Sequence, residues 1–182
     1  FANRDPVSRF YFNDIYKVEE KDSAAYLQLN FDSGIASGNV GVRYVQTKEN
    51  IGYTSTAPDA EATTVTGPIT GSAFGDYYWN TYKHDYGKFL PSANLKLAVT
   101  DDLLLRFAAS QTMTRPDYSA LAGYVSADDL THTGSGGNPQ LKPLISSNFD
   151  AAVEWYFAPR GLLSAGVYAM NLKDYINFGN ET

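Results

Sequence analysis

An all-β chain, specifically a segment of antiparallel transmembrane β-barrel, is what this sequence predicts, on three observations. Apolar residues recur at every second position in six separate runs, and period 2 sends alternate side chains to opposite faces of a strand. The connections between runs alternate between short turns and long polar segments, as in barrels with brief periplasmic turns and extended extracellular loops. Finally, Arg43, Lys96, Arg106, Asp150 and Glu154 all take the non-apolar parity of their runs. An Arg or Lys facing lipid at mid-bilayer costs about 2–4 kcal/mol, so a parity holding all five charges is the one turned away from lipid.

The first strand is expected over residues 16–31, with Ala25, Leu27, Leu29 and Phe31 opposed by Tyr26, Gln28 and Asn30. Asp32, Ser33 and Gly34 open a short turn. The second is expected over residues 38–46, with Val40, Val42 and Tyr44 opposed by Asn39, Gly41 and Arg43. Residues 47–75, rich in Thr, Gly, Ser and Pro, read as a long loop. In the third strand, residues 77–98, Ala93, Leu95 and Leu97 face away from Ser92, Asn94 and Lys96. Thr100, Asp101 and Asp102 are turn formers. The fourth strand, residues 103–114, sets Leu103, Leu105, Phe107, Ala109 and Met113 against Arg106, Ser110, Thr112 and Thr114.

A second long segment, residues 116–143, precedes the last hairpin. There Phe149, Ala151, Val153, Trp155 and Phe157 alternate with polar residues, Ala158-Pro159-Arg160-Gly161 turns the chain, and Leu163, Ala165, Val167 and Ala169 resume the pattern. With the earlier turn centred near Asp101, Lys96 falls opposite Arg106, and facing cations repel. Pro116 and Pro139 suit strand ends and loop entries, and Gly137-Asn138 suits positive φ beside the loop.

Aromatic residues mark both ends of the strands. Phe31, Trp155 and Phe157 lie near short turns, while Tyr44, Tyr86, Phe89, Tyr175 and Phe178 lie toward the long loops, as two interfacial girdles would. Composition excludes other classes. Cysteine is absent, histidine occurs only twice, and the net charge of −6 opposes binding a polyanion such as nucleic acid. No apolar run approaches the ~18 residues of a spanning helix. Six strands fall short of the eight of the smallest single-chain bacterial barrels, and open edges in lipid cost several kcal/mol per unpaired group. The chain, which begins at Phe1, is therefore expected to be one partial barrel domain over residues 1–182, a piece of something longer.

The most site-like segment is residues 76–86, where aromatics alternate with polar groups that could stack on a sugar ring or clasp a planar ligand. Tyr77, Tyr78, Trp79, Tyr82 and His84, with Tyr118 and Tyr124 from the second loop, are the candidate ligand contacts. The same segment also fits an aromatic girdle with ordinary loop packing. Asp128, Asp129 and His132 carry carboxylate and imidazole donors but lack any spaced metal-binding loop. No catalytic or cofactor motif is present, so neither enzyme activity, metal nor cofactor is expected.

Residues 89–97 and 105–118, together with Gly137-Asn138-Pro139-Gln140-Leu141-Lys142-Pro143, Ser147-Asn148-Phe149-Asp150 and Glu154-Trp155-Tyr156-Phe157, resemble the barrel of TonB-dependent outer-membrane receptors. The resemblance runs over about residues 16–178. It implies a 22-stranded barrel, an N-terminal plug inside it and a short TonB-binding segment, neither of which matches any residue here. It further implies import of a scarce nutrient, a ferric siderophore, oligosaccharide or similar ligand, with this chain as barrel wall and extracellular loops in the bacterial outer membrane. Its partners would be outer-membrane lipid, the plug and remaining strands of the parent chain, and the TonB complex. Arg43, Lys96, Arg106, Asp150 and Glu154 would then face the plug, and an acid, Glu154 or a plug residue, would sit between Lys96 and Arg106. The alternative is a soluble all-β carbohydrate-binding module, which would bury Leu95, Leu105, Val153 and Trp155 in a dry core.

Overall fold

A computed structural model describes residues 12, 15–70, 72–128, 130 and 133–176. Six long strands form one antiparallel meander: β1 (Tyr16–Ser33), β2 (Ala36–Ser55), β4 (Tyr77–Thr100), β5 (Leu103–Thr114), β8 (Leu144–Ala158) and β9 (Gly161–Lys173), each hydrogen-bonded to the next in that order. The short β3 (Thr64–Ile69) adds to the upper end of β4. Between β5 and β8 lie α1 (Tyr118–Leu121) and the hairpin β6 (Val125–Asp128) and β7 (Thr133–Gly136). The six-strand expectation holds, and β5 has the bounds read from its alternation.

Along its lower half the sheet is a single layer. On opposite faces of β1, Leu29 is 63% exposed and Tyr26 81%. The apolar parity forms one continuous face across the ladder. Rows such as Leu29, Val40, Ala93, Ala109, Phe149 and Ala169 follow directly from the registers. The opposite face holds Arg43, Lys96, Arg106, Asp150 and Glu154. Lys96 pairs in register with Arg106, and Glu154 answers that charge from β8. Its carboxylate accepts two bonds from the Arg106 guanidinium, at 2.7 and 3.3 Å, and one from the Tyr156 hydroxyl at 3.2 Å. A soluble sandwich would cover Leu95, Leu105, Val153 and Trp155 with a second layer, yet Trp155 remains 50% exposed.

Two features differ from the sequence reading. First, β2 does not stop at residue 46 but continues to Ser55, and β3 lies inside the expected loop of residues 47–75. The reason is an inversion of hydrophobic phase. Below the row Ala25–Tyr44–Phe89, apolar residues occupy odd positions in β1 and β4 and even positions in β2. Above it, Val18, Val45, Ile51, Tyr53 and Tyr82 take the other parity. The β1–β2 and β2–β4 registers pass through that row without a shift, so the faces stay constant while their surroundings change.

Second, Tyr86 is not a girdle residue. It lies on the face of Thr47 and Glu49 and donates its hydroxyl to Glu49 at 3.3 Å. Tyr44 and Phe89 do pair on the apolar side, ring centroids 4.7 Å apart, and Trp155 meets Phe157 at 5.7 Å near the opposite end of the strands. Phe178, Asp129 and His132 lie outside the described residues.

Candidate functional site: the polar nest at the sheet's upper end

Above the phase inversion, the inward face is roofed by the β5–β8 loop. α1 delivers Leu121 onto Ile51 and Tyr53, with Val18, Tyr82 and Leu141 packed around them. Ile51, Tyr53 and Leu121 are at most 1% exposed. The Asn138 amide donates to the Ala120 carbonyl at 2.7 Å, and Gln140 bonds Glu61 of the β2–β4 loop, tying the two long loops together. Gly137 has no positive φ, contrary to expectation. It is required because a Cβ there would stand 2.1 Å from the Ala122 carbonyl oxygen and 2.7 Å from that of Ala120.

Beside this small core lies a charged nest. Arg115, just beyond β5, reaches over the inward face of β4 and β2 to the acids of β1, at 3.4 Å from Glu20 and 2.8 Å from Asp22. Asp22 also accepts the Thr47 hydroxyl at 2.6 Å. Glu49, with its side chain only 1% exposed, faces the His84 imidazole at 3.7 Å, beyond direct hydrogen-bond reach. Glu49 Oε2, His84 Nδ1 and Arg115 Nε are buried without a hydrogen-bond partner among the described residues.

Burial raises the Glu49 carboxyl above its ordinary range, with His84 acting the other way. Glu20 is raised too, by burial and by its hydrogen bond with Asp22. For Asp22, burial acts upward, but Thr47, Glu20 and Arg115 together outweigh it and hold the group low. The Tyr86 phenol is pushed up to about 12 by burial and by the Glu49 charge. The nest thus offers buried acceptors, one guanidinium and one imidazole on a rigid ladder, a set suited to hydrogen-bonding a polar ligand.

The sequence-selected aromatics do not form one platform. Tyr82 and His84 face inward with the nest. Tyr118, 53% exposed, borders a small cavity of about 170 Å³ with Glu20 and Arg115, and Tyr124 lies 6.1 Å from Tyr16. Tyr78 shares the inward parity. Trp79 takes the outward parity and lies over Gly52, where a Cβ would stand 2.3 Å from its ring, and Tyr77 is buried against Phe12, ring centroids 5.6 Å apart. Sequence reasoning missed Glu20, Asp22, Thr47, Glu49 and Arg115. The first four were reachable by extending each strand's parity beyond the point where its apolar residues change face.

A larger cavity of about 570 Å³ lies on the apolar face among Phe31, Ala93, Phe107, Ala109 and Val167. Its lining matches hydrocarbon rather than a polar solute.

The family described as TonB dependent receptor-like, beta-barrel matches residues 1–182. No curated protein and no solved structure matches the chain.

Proposed function

This chain belongs to the TonB-dependent receptor-like β-barrel family, and from that premise we propose that it forms barrel wall and extracellular loops of a transporter importing a scarce nutrient across the bacterial outer membrane. Membership carries TonB-dependent outer-membrane transport in general terms; the role of this stretch and the ligand class are the proposal. The observation supporting it is the phase inversion. Below the Tyr44–Phe89 row the apolar face looks away from the charges, as lipid demands. Above it the apolar residues turn inward under a folded loop, as water demands.

On this reading the open edges of β1 and β9 pair with further strands of the same receptor, since lipid does not tolerate unpaired backbone groups. Arg43, Lys96, Arg106, Asp150 and Glu154 face the lumen, where they hold a plug. The nest, with Tyr82, His84, Tyr118 and Tyr124, stands at the extracellular mouth, where ligand first meets the receptor. Arg115 and Tyr118, at the cavity they share with Glu20, then meet a hydroxyl-bearing ligand. A ferric siderophore and an oligosaccharide both supply such groups. Energy for import comes through TonB and segments outside this chain.

The test uses the native receptor that contains this chain. An outer-membrane protein whose unboiled form migrates differently on a gel from its boiled form, and whose uptake of ferric siderophore or oligosaccharide stops when TonB is deleted, is expected. A soluble species of about 20 kDa with heat-insensitive mobility would overturn the assignment.

A further inference from the structure

In the cavity that Arg115 and Tyr118 share with Glu20, Asp117 stands unmatched. It precedes α1, yet its exposed side chain makes no capping bond. Among the described residues no cation comes within 4.0 Å of its carboxylate. Arg115, two residues away, is already engaged by Glu20 and Asp22. Two cavities meet at Asp117, one of about 170 Å³ shared with Tyr118 and one of about 220 Å³ shared with Tyr175, just beyond β9. Both tyrosines are open to solvent, Tyr118 at 53% and Tyr175 at 70%. An exposed carboxylate between two exposed tyrosines is suited to receive an ammonium. The carboxylate accepts its N–H bonds, and the face of a ring attracts its charge.

The surroundings carry the same sign. Residues 56–76 contain Asp59, Glu61 and Asp76 and no Lys, Arg or His, while residues 115–143 contain three aspartates against Arg115, Lys142 and His132. Asp59 and Glu61 accept from neutral donors, Tyr53 and Gln140, so their charges stay uncompensated. On the inward face of the strands beneath, Glu20, Asp22 and Glu49 outnumber Lys88. Lower in the lumen the balance reverses, with Arg43, Lys96 and Arg106 against Asp150 and Glu154. A cleft lined by one sign of charge concentrates the opposite ion. We propose that this mouth selects ligands that present a protonated amine, received by the Asp117 carboxylate and the Tyr118 and Tyr175 rings, and disfavours anionic ones. Of the two ligand kinds named above, this singles out a siderophore with a free amine or an amino-sugar oligomer. The inference rests on the extracellular placement given under Proposed function.

The test uses the full receptor with Ser119→Cys, an exposed position beside Tyr118, as a reporter thiol. A trimethylammonium and a sulfonate methanethiosulfonate reagent are compared at low ionic strength, each rate taken relative to a free thiol in solution. The cationic reagent should be favoured by about tenfold or more. A unit charge about 6 Å away changes each rate about threefold in water, in opposite directions, so Asp117→Asn should lower the ratio about tenfold. Asp76→Asn, outside both cavities, should change it by about twofold at most. No preference for the cation, an unchanged ratio in Asp117→Asn, or equal loss in Asp76→Asn would each overturn the proposal. Recognition is read as protection of the reporter thiol from N-ethylmaleimide. An iron(III) trihydroxamate with a free amine, or a glucosamine oligomer, should protect at a concentration about tenfold below that of its N-acetylated form. Tyr118→Leu should narrow that difference roughly twofold to fivefold and leave the reagent ratio unchanged. Indifference to acetylation on both scaffolds would sink the idea. Heat-modifiable migration separates the two readings: its absence counts against the barrel, and its presence with a charge-indifferent mouth counts against this inference alone.

Discussion

The lower and upper halves of β1, β2 and β4 belong to the same uninterrupted ladder, yet they obey opposite rules. Below the Ala25–Tyr44–Phe89 row, Val40 and Val42 point outward and Arg43 inward; above it, Lys48 points outward and Ile51 inward. The lower half has no core of its own, whereas the upper half buries Ile51, Tyr53 and Leu121 under a folded loop. A strand fixes only which residues share a face. Whether that face is apolar depends on what it meets, and the apolar parity changes face here just above Tyr44.

The largest expected effect tests the lower half. Val153→Arg puts a cation on the apolar face and should cost about 2–4 kcal/mol, seen as loss of heat-modifiable barrel from the outer membrane. Glu154→Gln, on the other face, weakens a partly exposed ion pair worth about 0–1 kcal/mol and should assemble normally. Equal tolerance of both would break the comparison at its root. In the upper half, Gly137→Ala drives a methyl into the Ala122 and Ala120 carbonyls. Backbone displacement of this kind costs about 1–3 kcal/mol and should appear as faster proteolysis of the β5–β8 loop, with barrel assembly unaffected.

Arg115→Gln should cost about 1.5–3 kcal/mol, because hydrogen bonds to charged groups carry such values and Glu20 and Asp22 lose their cation. Amide exchange at residues 115–122 should quicken while that of β8 and β9 stays constant. Were β8 and β9 to loosen as well, the two halves would be one cooperative unit.

The smallest effect is in pH. Glu49 and Glu20 are raised above their ordinary 4.5, chiefly by burial. Their contribution to the folded mouth is therefore complete below pH 4.5 and is lost as pH rises through their folded values. Asp22, held under its ordinary 3.8 by Thr47, Glu20 and Arg115 against the upward pull of burial, contributes above that value and is lost as pH falls. As pH falls from neutral towards 4.5, exchange protection of residues 45–54, corrected for intrinsic rate, should thus rise, and Glu49→Gln should flatten the profile. A mouth that loosens on acidification through that window would reverse the assignment.

How much was legible follows from the same inversion. Period 2 held wherever lipid-type patterning ran unbroken, so β5 was read to the residue and Lys96 was placed opposite Arg106. It failed in β2, where Gln46 and Thr47 interrupt the apolar pattern and the run through Ile51 and Tyr53 resumes in the opposite phase, resembling loop. Within the nest, His84 was found because it sits in a conspicuous aromatic segment. Arg115 was quoted for its motif but given no role, because its partners lie some ninety residues earlier and across two intervening strands.

The sequence by itself determined the faces of the lower strands, the short turns and the shared parity of Arg43, Lys96, Arg106, Asp150 and Glu154, because alternation is a local property of the extended chain and a misplaced charge is costly. The tertiary structure alone decided that Arg115 meets Glu20 and Asp22, that Gly137 lies against α1, and that Leu121 packs on Ile51 and Tyr53. Those contacts depend on sheet order and on a long loop folding back over the ladder. Pattern fixes which way a side chain points; only the folded loop brings residues distant in the chain to the same place.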